Sequence, residues 1–327
     1  MKRKDIINIV LFVIVFAFAA YRFSKLTYSN QKSAFVMDTI VDIKIESKDK
    51  NTDETIAGAF KLMEDYEKKF SFYKKESPIW QFNNNEIESL YLDEDLKNIL
   101  AISRQLNIDT NSHYDITIGA LSEIWDFENN IIPSGKEIEK AKLSTGFNKL
   151  TIINGYLKGS EGIKINLGSL AKGYIIDKTI EYLTQKDVIS GYINAGGDIR
   201  IFGNKKPVKI GIMHPRSDSN ETIDVLSIIN RSVVTSGDYE RYFIEDGIRY
   251  HHILDPLTGY PSHEAISVTV IAETALIADA HSTALFLLKP ESAIELANRT
   301  DDVEAIVYYF KENKIEKLET KGISDYK

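Results

Sequence analysis

Apolar and polar residues alternate through Val41, Asp42, Ile43, Lys44, Ile45 and Glu46, the two-residue period of a β-strand with one face on a core and the other in water. The period then lengthens. Ile56, Phe60, Met63 and Phe70 are spaced by three, four or seven residues, as are most of Leu96, Ile99, Leu100 and Leu106, so two amphipathic helices are predicted, the first with Asp53 as its N-cap. Asn154-Gly155 divides Thr151-Ile152-Ile153 from Tyr156-Leu157, the mark of a tight hairpin. Short strands dominate from there to a helix over 274–288, stopped by Pro290; a helix over 291–298 and a strand over 303–310 close the chain. Strands and helices do not alternate regularly, which argues for an α+β fold and against a doubly wound parallel sheet.

The N-terminus follows a different rule. Lys2, Arg3 and Lys4 precede an uncharged run over 6–21, and Arg22 and Lys25 follow it. Basic residues ahead of an apolar run favour a cytoplasmic N-terminus with the body on the extracytoplasmic side. The run is short for a membrane span, although flanking Lys and Arg can snorkel. Ala17-Phe18-Ala19 also suits a signal-peptidase site, so residues 1–28 read as a membrane anchor or a cleaved signal. Residues 29–327 lack repeats, sustained heptads and low-complexity linkers, and read as one continuous α+β unit.

Composition narrows the chemistry. With 327 residues, 43% of them hydrophobic and 27% charged, the chain can bury a full core. A formal charge of -8 argues against nucleic acid, whose binding depends on Lys and Arg neutralising phosphates. The absence of cysteine excludes disulfides, thiolate metal sites, a cysteine nucleophile and a lipid-modified N-terminal cysteine.

Several segments carry candidate chemistry. In residues 166–177 a hydrophobic strand is predicted to enter a small-residue turn holding Lys172 and then a helix, a shape suited to phosphate through free helix N–H groups and one cation. The P-loop order of residues is missing, and such turns are often only structural. Asp279 and Thr283 stand four apart in the helix over 274–288, so one face projects a carboxylate and a hydroxyl, hard oxygen donors that suit magnesium. An ordinary helix shows the same spacing. His252 ends a strand beside the Asp255-Pro256 turn, where an imidazole could take a hydroxyl proton. Gly196-Gly197-Asp198 and Ser236-Gly237-Asp238-Tyr239 read as tight turns in which glycine supplies positive φ. Trp125 and Phe127 read as core, and His281 as surface or packing.

Taken in order, these segments resemble the ApbE-type FAD:protein FMN transferase family over residues 34–288. Met37-Asp38-Thr39 is similar to its early Met-Gly-Thr, residues 73–83 to its Ser- and Asn-containing loop, and residues 114–119 with Trp125-Asp126-Phe127 to its Asp-x-Thr-x-Gly and Trp-x-Phe block. Residues 167–177, 194–198, 235–241, 252–261 and 278–283 resemble the remaining blocks. The resemblance implies a T-fold-like α+β domain that binds FAD and Mg²⁺ and moves FMN onto a Thr or Ser hydroxyl of another protein, releasing AMP. It implies Asp279, Thr283 and the backbone carbonyl of Ala171 as metal ligands, His252 as base, Lys172 as the cation that neutralises the diphosphate, and Met37, Asp115, Thr117, Lys172 and Tyr174 at or beside flavin-binding positions. The implied partner is a membrane or exported redox protein bearing an Asp/Ser-Gly-x-Thr/Ser-type sequence, with no nucleic acid involved. FAD hydrolysis to FMN and AMP, or flavin carriage without catalysis, are the alternatives. Asp38 stands where Gly is usual, Asn166 where Asp is common and Ser169 where Gly is common.

Overall fold

Val41, Ile43 and Ile45 are fully buried on the strand Thr39–Ser47, with Lys44 and Glu46 exposed on its other face, as the alternation predicts. In the computed structural model, which describes residues 4, 8, 11–17, 26–217 and 221–327, this strand belongs to an eight-stranded antiparallel sheet. Across the sheet the order is Tyr28–Val36, Thr39–Ser47, Val188–Ala195, Asp198–Phe202, Ser232–Gly237, Ser267–Ala272, Glu304–Lys311 and Lys314–Glu319. The fold is α+β. Residues 11–17 are helical and exposed, and the rest of the apolar N-terminal run lies outside the described residues. Among the described residues no helix is long and apolar enough to cross a membrane.

One face of the sheet carries the main core, closed by the helices Thr52–Phe70, Glu94–Asp109, Ala171–Gln185 and Ala275–Phe286. Ala275–Phe286 is buried on nearly every side; only Ile277 and Thr283 are not. Its Ala278, Ala280 and Ala284 allow the close approach that such a central position needs. The opposite face packs Ile201, Val233, Ile271 and Ile306 against the hairpin Val208–Met213/Thr222–Ile228 and the C-terminal 3₁₀ turn. A satellite cluster gathers Leu121, Trp125, Ile138, Phe243 and Leu254 under the loops.

Several elements differ from the sequence expectations. Asp53 does not cap its helix: Asn51 holds the N-cap position without a side-chain bond, and Asp53 pairs with Lys32 at 2.5 Å from the first turn. The apolar residues leading into the turn of 166–177 form no strand, and Asn83 bonds to them as a neighbouring strand would. Its amide donates to the Ile165 carbonyl and accepts from the Ile165 N–H, each at 2.8 Å, leaving only an isolated bridge between Lys164 and Ile118. Gly237 lies in a strand and lacks positive φ; a Cβ there would stand 2.4 Å from the Tyr239 ring, so close approach is its constraint. The chain closes with the additional strand Lys314–Glu319, entered through left-handed Glu312 and Asn313. The Asn154-Gly155 and Gly196-Gly197 turns form as expected, all four residues at positive φ.

Candidate functional site

Two helices meet at one end of the sheet, each bonding to the other's N-terminus. The main-chain N–H of Gly173, in the first turn of Ala171–Gln185, donates to Asp279 Oδ2 at 2.8 Å. One turn on, Asp177 accepts from the N–H groups of Ala275 and Leu276 at 2.9 and 2.8 Å. The first-turn donors of both helices, which no intrahelical carbonyl can satisfy, thus find carboxylates. The crossing is so tight that a Cβ on Gly173 would lie 2.3 Å from the Ala275 carbonyl.

Lys172 is committed to this arrangement. Its ammonium is 2.9 Å from Asp198 Oδ2, and Asp198 is almost wholly buried at the start of the strand that follows the Gly196-Gly197 turn. Burial alone would lower the Lys172 pKa, but Asp198, Asp279 and Glu240 outweigh it and hold the ammonium charged. Burial raises the pKa of Asp198, with Lys172 opposing. Asp279 is raised by burial and then by the Asp198 charge, while Lys172 and the Gly173 N–H pull the other way. Glu240 is exposed at the rim, yet surrounding protein raises its pKa as well. Carboxylates therefore outnumber nearby cations, and each resists ionising.

Thr283 lies one turn beyond Asp279. Ser236, at the end of its strand, reaches Thr283 Oγ1 at 3.3 Å and Ser282 Oγ at 2.8 Å. Among the described residues Asp279 Oδ1 has no hydrogen-bond partner, and no group of three or more His, Asp or Glu side chains is arranged to hold a metal. One carboxylate oxygen with neighbouring hydroxyls is nevertheless a hard-donor set that fits magnesium, which keeps most of its shell for water and substrate oxygens. Ala171 fits less well. It opens the helix, so its carbonyl enters the intrahelical ladder. The Ser169 carbonyl, by contrast, lies ahead of the N-cap Leu170, and among the described residues no main-chain N–H donates to it.

His252 follows the strand Ile248–His251, and its N–H donates to the Arg241 carbonyl at 3.1 Å. The residue is open to solvent on one side and enclosed by protein on the others. That enclosure, followed by the charges of His251, Arg241 and Lys172, lowers its pKa well below the ordinary imidazole value. It is therefore a neutral potential base within the electrostatic reach of Lys172.

The expected flavin-binding residues divide. Met37 and Asp38 form the two-residue turn between the first two strands, both at positive φ, so Asp38 adopts the conformation that glycine reaches more easily. Thr39, which follows this turn, lies against Gly196, where a Cβ would come within 2.3 Å of Thr39 Oγ1. Asp115 is consumed by structural hydrogen bonds. Its Oδ1 accepts from the N–H and hydroxyl of Thr117, and its Oδ2 from Asn107 and the Phe147 N–H. Thr117 Oγ1 also accepts from the Gly146 N–H at 2.7 Å. Tyr174 points away from Asp279: its hydroxyl donates to Asp95 at 2.6 Å, and its ring packs edge-on against Tyr66 and Phe70. Asn166 folds its acceptor onto the Gly168 N–H. His281 is buried and bonds to the Ile277 carbonyl, and Trp125 is buried with its Nε1 on Gly259.

A cavity of about 620 Å³ lined by Asp109, His113, Asp255, Tyr260 and Arg299 includes none of Lys172, Asp279 or Thr283. A second, of about 480 Å³, has Asp115, Lys142, Phe147 and Leu257 in its wall. Sequence reasoning missed Asp177, Asp198 and Ser236 as members of the site. The signal was an acid directly after a Gly-Gly turn and another one turn into the lysine helix.

The family model described as the ApbE family matches residues 37–307. The FAD:protein FMN transferase of Klebsiella pneumoniae (strain 342) is 32% identical over 283 residues, spanning 84% of this chain and 87% of that protein. The FAD:protein FMN transferase of Escherichia coli (strain K12) is 34% identical over 243 residues, 70% of this chain and 69% of that one. The crystal structure of the ApbE protein of Thermotoga maritima superposes with a TM-score of 0.82 at 31% identity, covering 91% of this chain and 99% of that chain. Fold and relatives together define a transferase enzyme of α+β architecture. The chain belongs to the ApbE family.

Proposed function

We propose that this enzyme transfers the FMN part of FAD to a Thr or Ser hydroxyl of an acceptor protein, with AMP as the leaving product. The observation that carries this reading is the junction of the two helices, where the Gly173 N–H reaches Asp279 and Lys172 reaches Asp198. It gathers a lysine, a carboxylate oxygen without a partner and the Ser236–Thr283 hydroxyls at one end of the sheet, close to an imidazole held neutral. In the transfer the acceptor oxygen bonds to the flavin-side phosphorus of FAD, and its proton passes to His252. The bond from that phosphorus to the oxygen bridging the diphosphate breaks, and AMP departs with that oxygen. Lys172 keeps two ammonium hydrogens beyond its contact with Asp198 to set against the leaving phosphate.

A diphosphate brings further negative charge to a site already rich in carboxylates, and a divalent cation would balance it. Asp279 Oδ1, Thr283 Oγ1 and the Ser169 carbonyl are the chain's donors for magnesium, Ser169 replacing Ala171. Bound there, the ion would supply positive charge against phosphate oxygens. The half-buried Met37 turn would border the flavin side, and the mutual bonds of Asp115 and Thr117 would stiffen their own loop.

Lys2 to Lys4 ahead of the apolar run support a catalytic body on the extracytoplasmic side of the membrane, with residues 1–28 as anchor or signal and 29–327 as the transferase domain. The decisive experiment incubates the enzyme with FAD, Mg²⁺ and a peptide containing Ser-Gly-Ala-Thr-Ala-Ala-Thr. Flavin fluorescence on the peptide, lost by about 10²-fold or more in Asp279→Asn while melting stays cooperative, is the expected result. Free FMN and AMP with no labelled peptide would show a hydrolase instead.

A further inference from the structure

Between Arg241 and His252 the chain leaves the large sheet and makes a ribbon of its own, Tyr242–Glu245 paired with Ile248–His251 around an Asp246-Gly247 turn. Both ends of the ribbon belong to the site: Arg241 and Glu240 precede it, and His252 follows it. One face is anchored, since Phe243 and Tyr250 stack with each other, and Phe127 and Trp125 pack beside them. The other face carries Tyr242 and Ile244, 40% and 60% exposed, with the Arg249 guanidinium 3.8 Å above the Tyr242 ring.

The edge of Tyr242–Glu245 is open. The bond from the His252 N–H to the Arg241 carbonyl and the two-residue turn linking Glu245 to Ile248 fix the phase of the ladder. Pairs Phe243–Tyr250 and Glu245–Ile248 exchange the inward bonds, so the N–H and C=O groups of Tyr242 and Ile244 point outward. Among the described residues no further strand pairs with this one. An exposed edge bearing apolar side chains is a template for another extended segment.

We propose that the Tyr242–Glu245 edge docks the acceptor polypeptide as an added β-strand, and that this pairing sets the acceptor hydroxyl beside His252. The proposal rests on the transferase reading above. An acceptor segment is the occupant that fits, because the edge runs directly into Arg241, whose carbonyl holds the His252 main chain. A strand lying on this edge runs past Arg241 at about 10 Å, two strand spacings, from the His252 main chain, and an acceptor side chain turned across the end of the ribbon spans that gap. Backbone pairing along the edge makes the interaction tolerant of acceptor sequence, while Ile244 and the Arg249-capped Tyr242 favour an apolar residue near an acidic one.

Ile244→Pro tests the edge, since it removes an outward N–H that the ribbon's own ladder does not use, and edge strands tolerate proline; Ile244→Lys tests the side chain. With the Ser-Gly-Ala-Thr-Ala-Ala-Thr peptide as acceptor, the expected result is a rise of tenfold or more in the peptide KM for Ile244→Pro, with FAD KM and the rate at saturating peptide within twofold of wild type. Unchanged peptide KM in both variants overturns the docking edge. Amide exchange of Tyr242 and Ile244 is followed in parallel with and without the peptide. Slowed exchange supports docking even where no flavin is transferred, which would count against the transferase reading alone; unslowed exchange refutes docking whatever the activity. A wild-type dimer that Ile244→Pro dissociates would assign the edge to a second copy of the chain and overturn the proposal too.

Discussion

Tyr174 shows how a residue at a family-matched position can serve the scaffold. Its hydroxyl bonds to the carboxylate of Asp95, which also pairs with Lys69, and a bond to a charged group contributes about 1.5–3 kcal/mol. Tyr174→Phe is expected to lower stability by about 1–2 kcal/mol, read as a shift in urea midpoint, with FAD affinity unchanged; a tenfold weaker affinity would return the residue to the binding site. His252 makes the opposite case. Held neutral and open to solvent, it has the protonation state a base needs, so His252→Gln should slow single-turnover transfer by about 10²-fold or more. An unchanged rate would remove it from that role.

At the scale of elements, the crossing of Ala171–Gln185 with Ala275–Phe286 governs the site. Gly173→Ala forces a methyl against the Ala275 carbonyl, which backbone cannot yield without separating the helices. We expect a loss of about 1–3 kcal/mol in stability together with a fall of more than tenfold in transfer, both measurable on the same preparation; wild-type values of either would show that the helices can slide apart freely. The ribbon adds a pH dependence. His251 Nε2 faces the Ser262 carbonyl while Nδ1 accepts from the Ile253 N–H, and burial lowers its pKa to about 4. The unfolded imidazole takes its proton near its ordinary value of about 6.5, above the folded pKa. This contribution is therefore complete above that pH and is lost as pH falls from about 6.5 towards 4. His251→Gln should flatten the stability profile across that window by one proton's slope, and a parallel profile would refute the assignment.

For the molecule as a whole, regular local patterns were the legible part. Val41, Ile43 and Ile45 announced their strand because one face of it is wet, and Asn154-Gly155 announced its turn because few other residues accept that backbone. The expected strand into the turn of 166–177 misled because an amide from residue 83 supplies the bonds of a missing strand, a partnership no local pattern can show. Asp279 and Thr283 were visible through helical spacing, whereas Asp198 and Ser236 join them only through sheet pairing between distant segments. The proposed anchor is likewise tested on the whole chain: removal of residues 1–25 should free the protein from the membrane fraction without changing transfer, and continued sedimentation with membranes would place the attachment elsewhere.

The strand Tyr28–Val36 begins just after that segment and ends at the Met37 turn. Nine extended residues amount to a rigid post of about 30 Å. Were residues 1–28 retained as an anchor, an enzyme held at the foot of such a post would work at a height, and would label proteins whose flavin-accepting hydroxyl stands well clear of the lipid while passing over those that hold it at the bilayer surface.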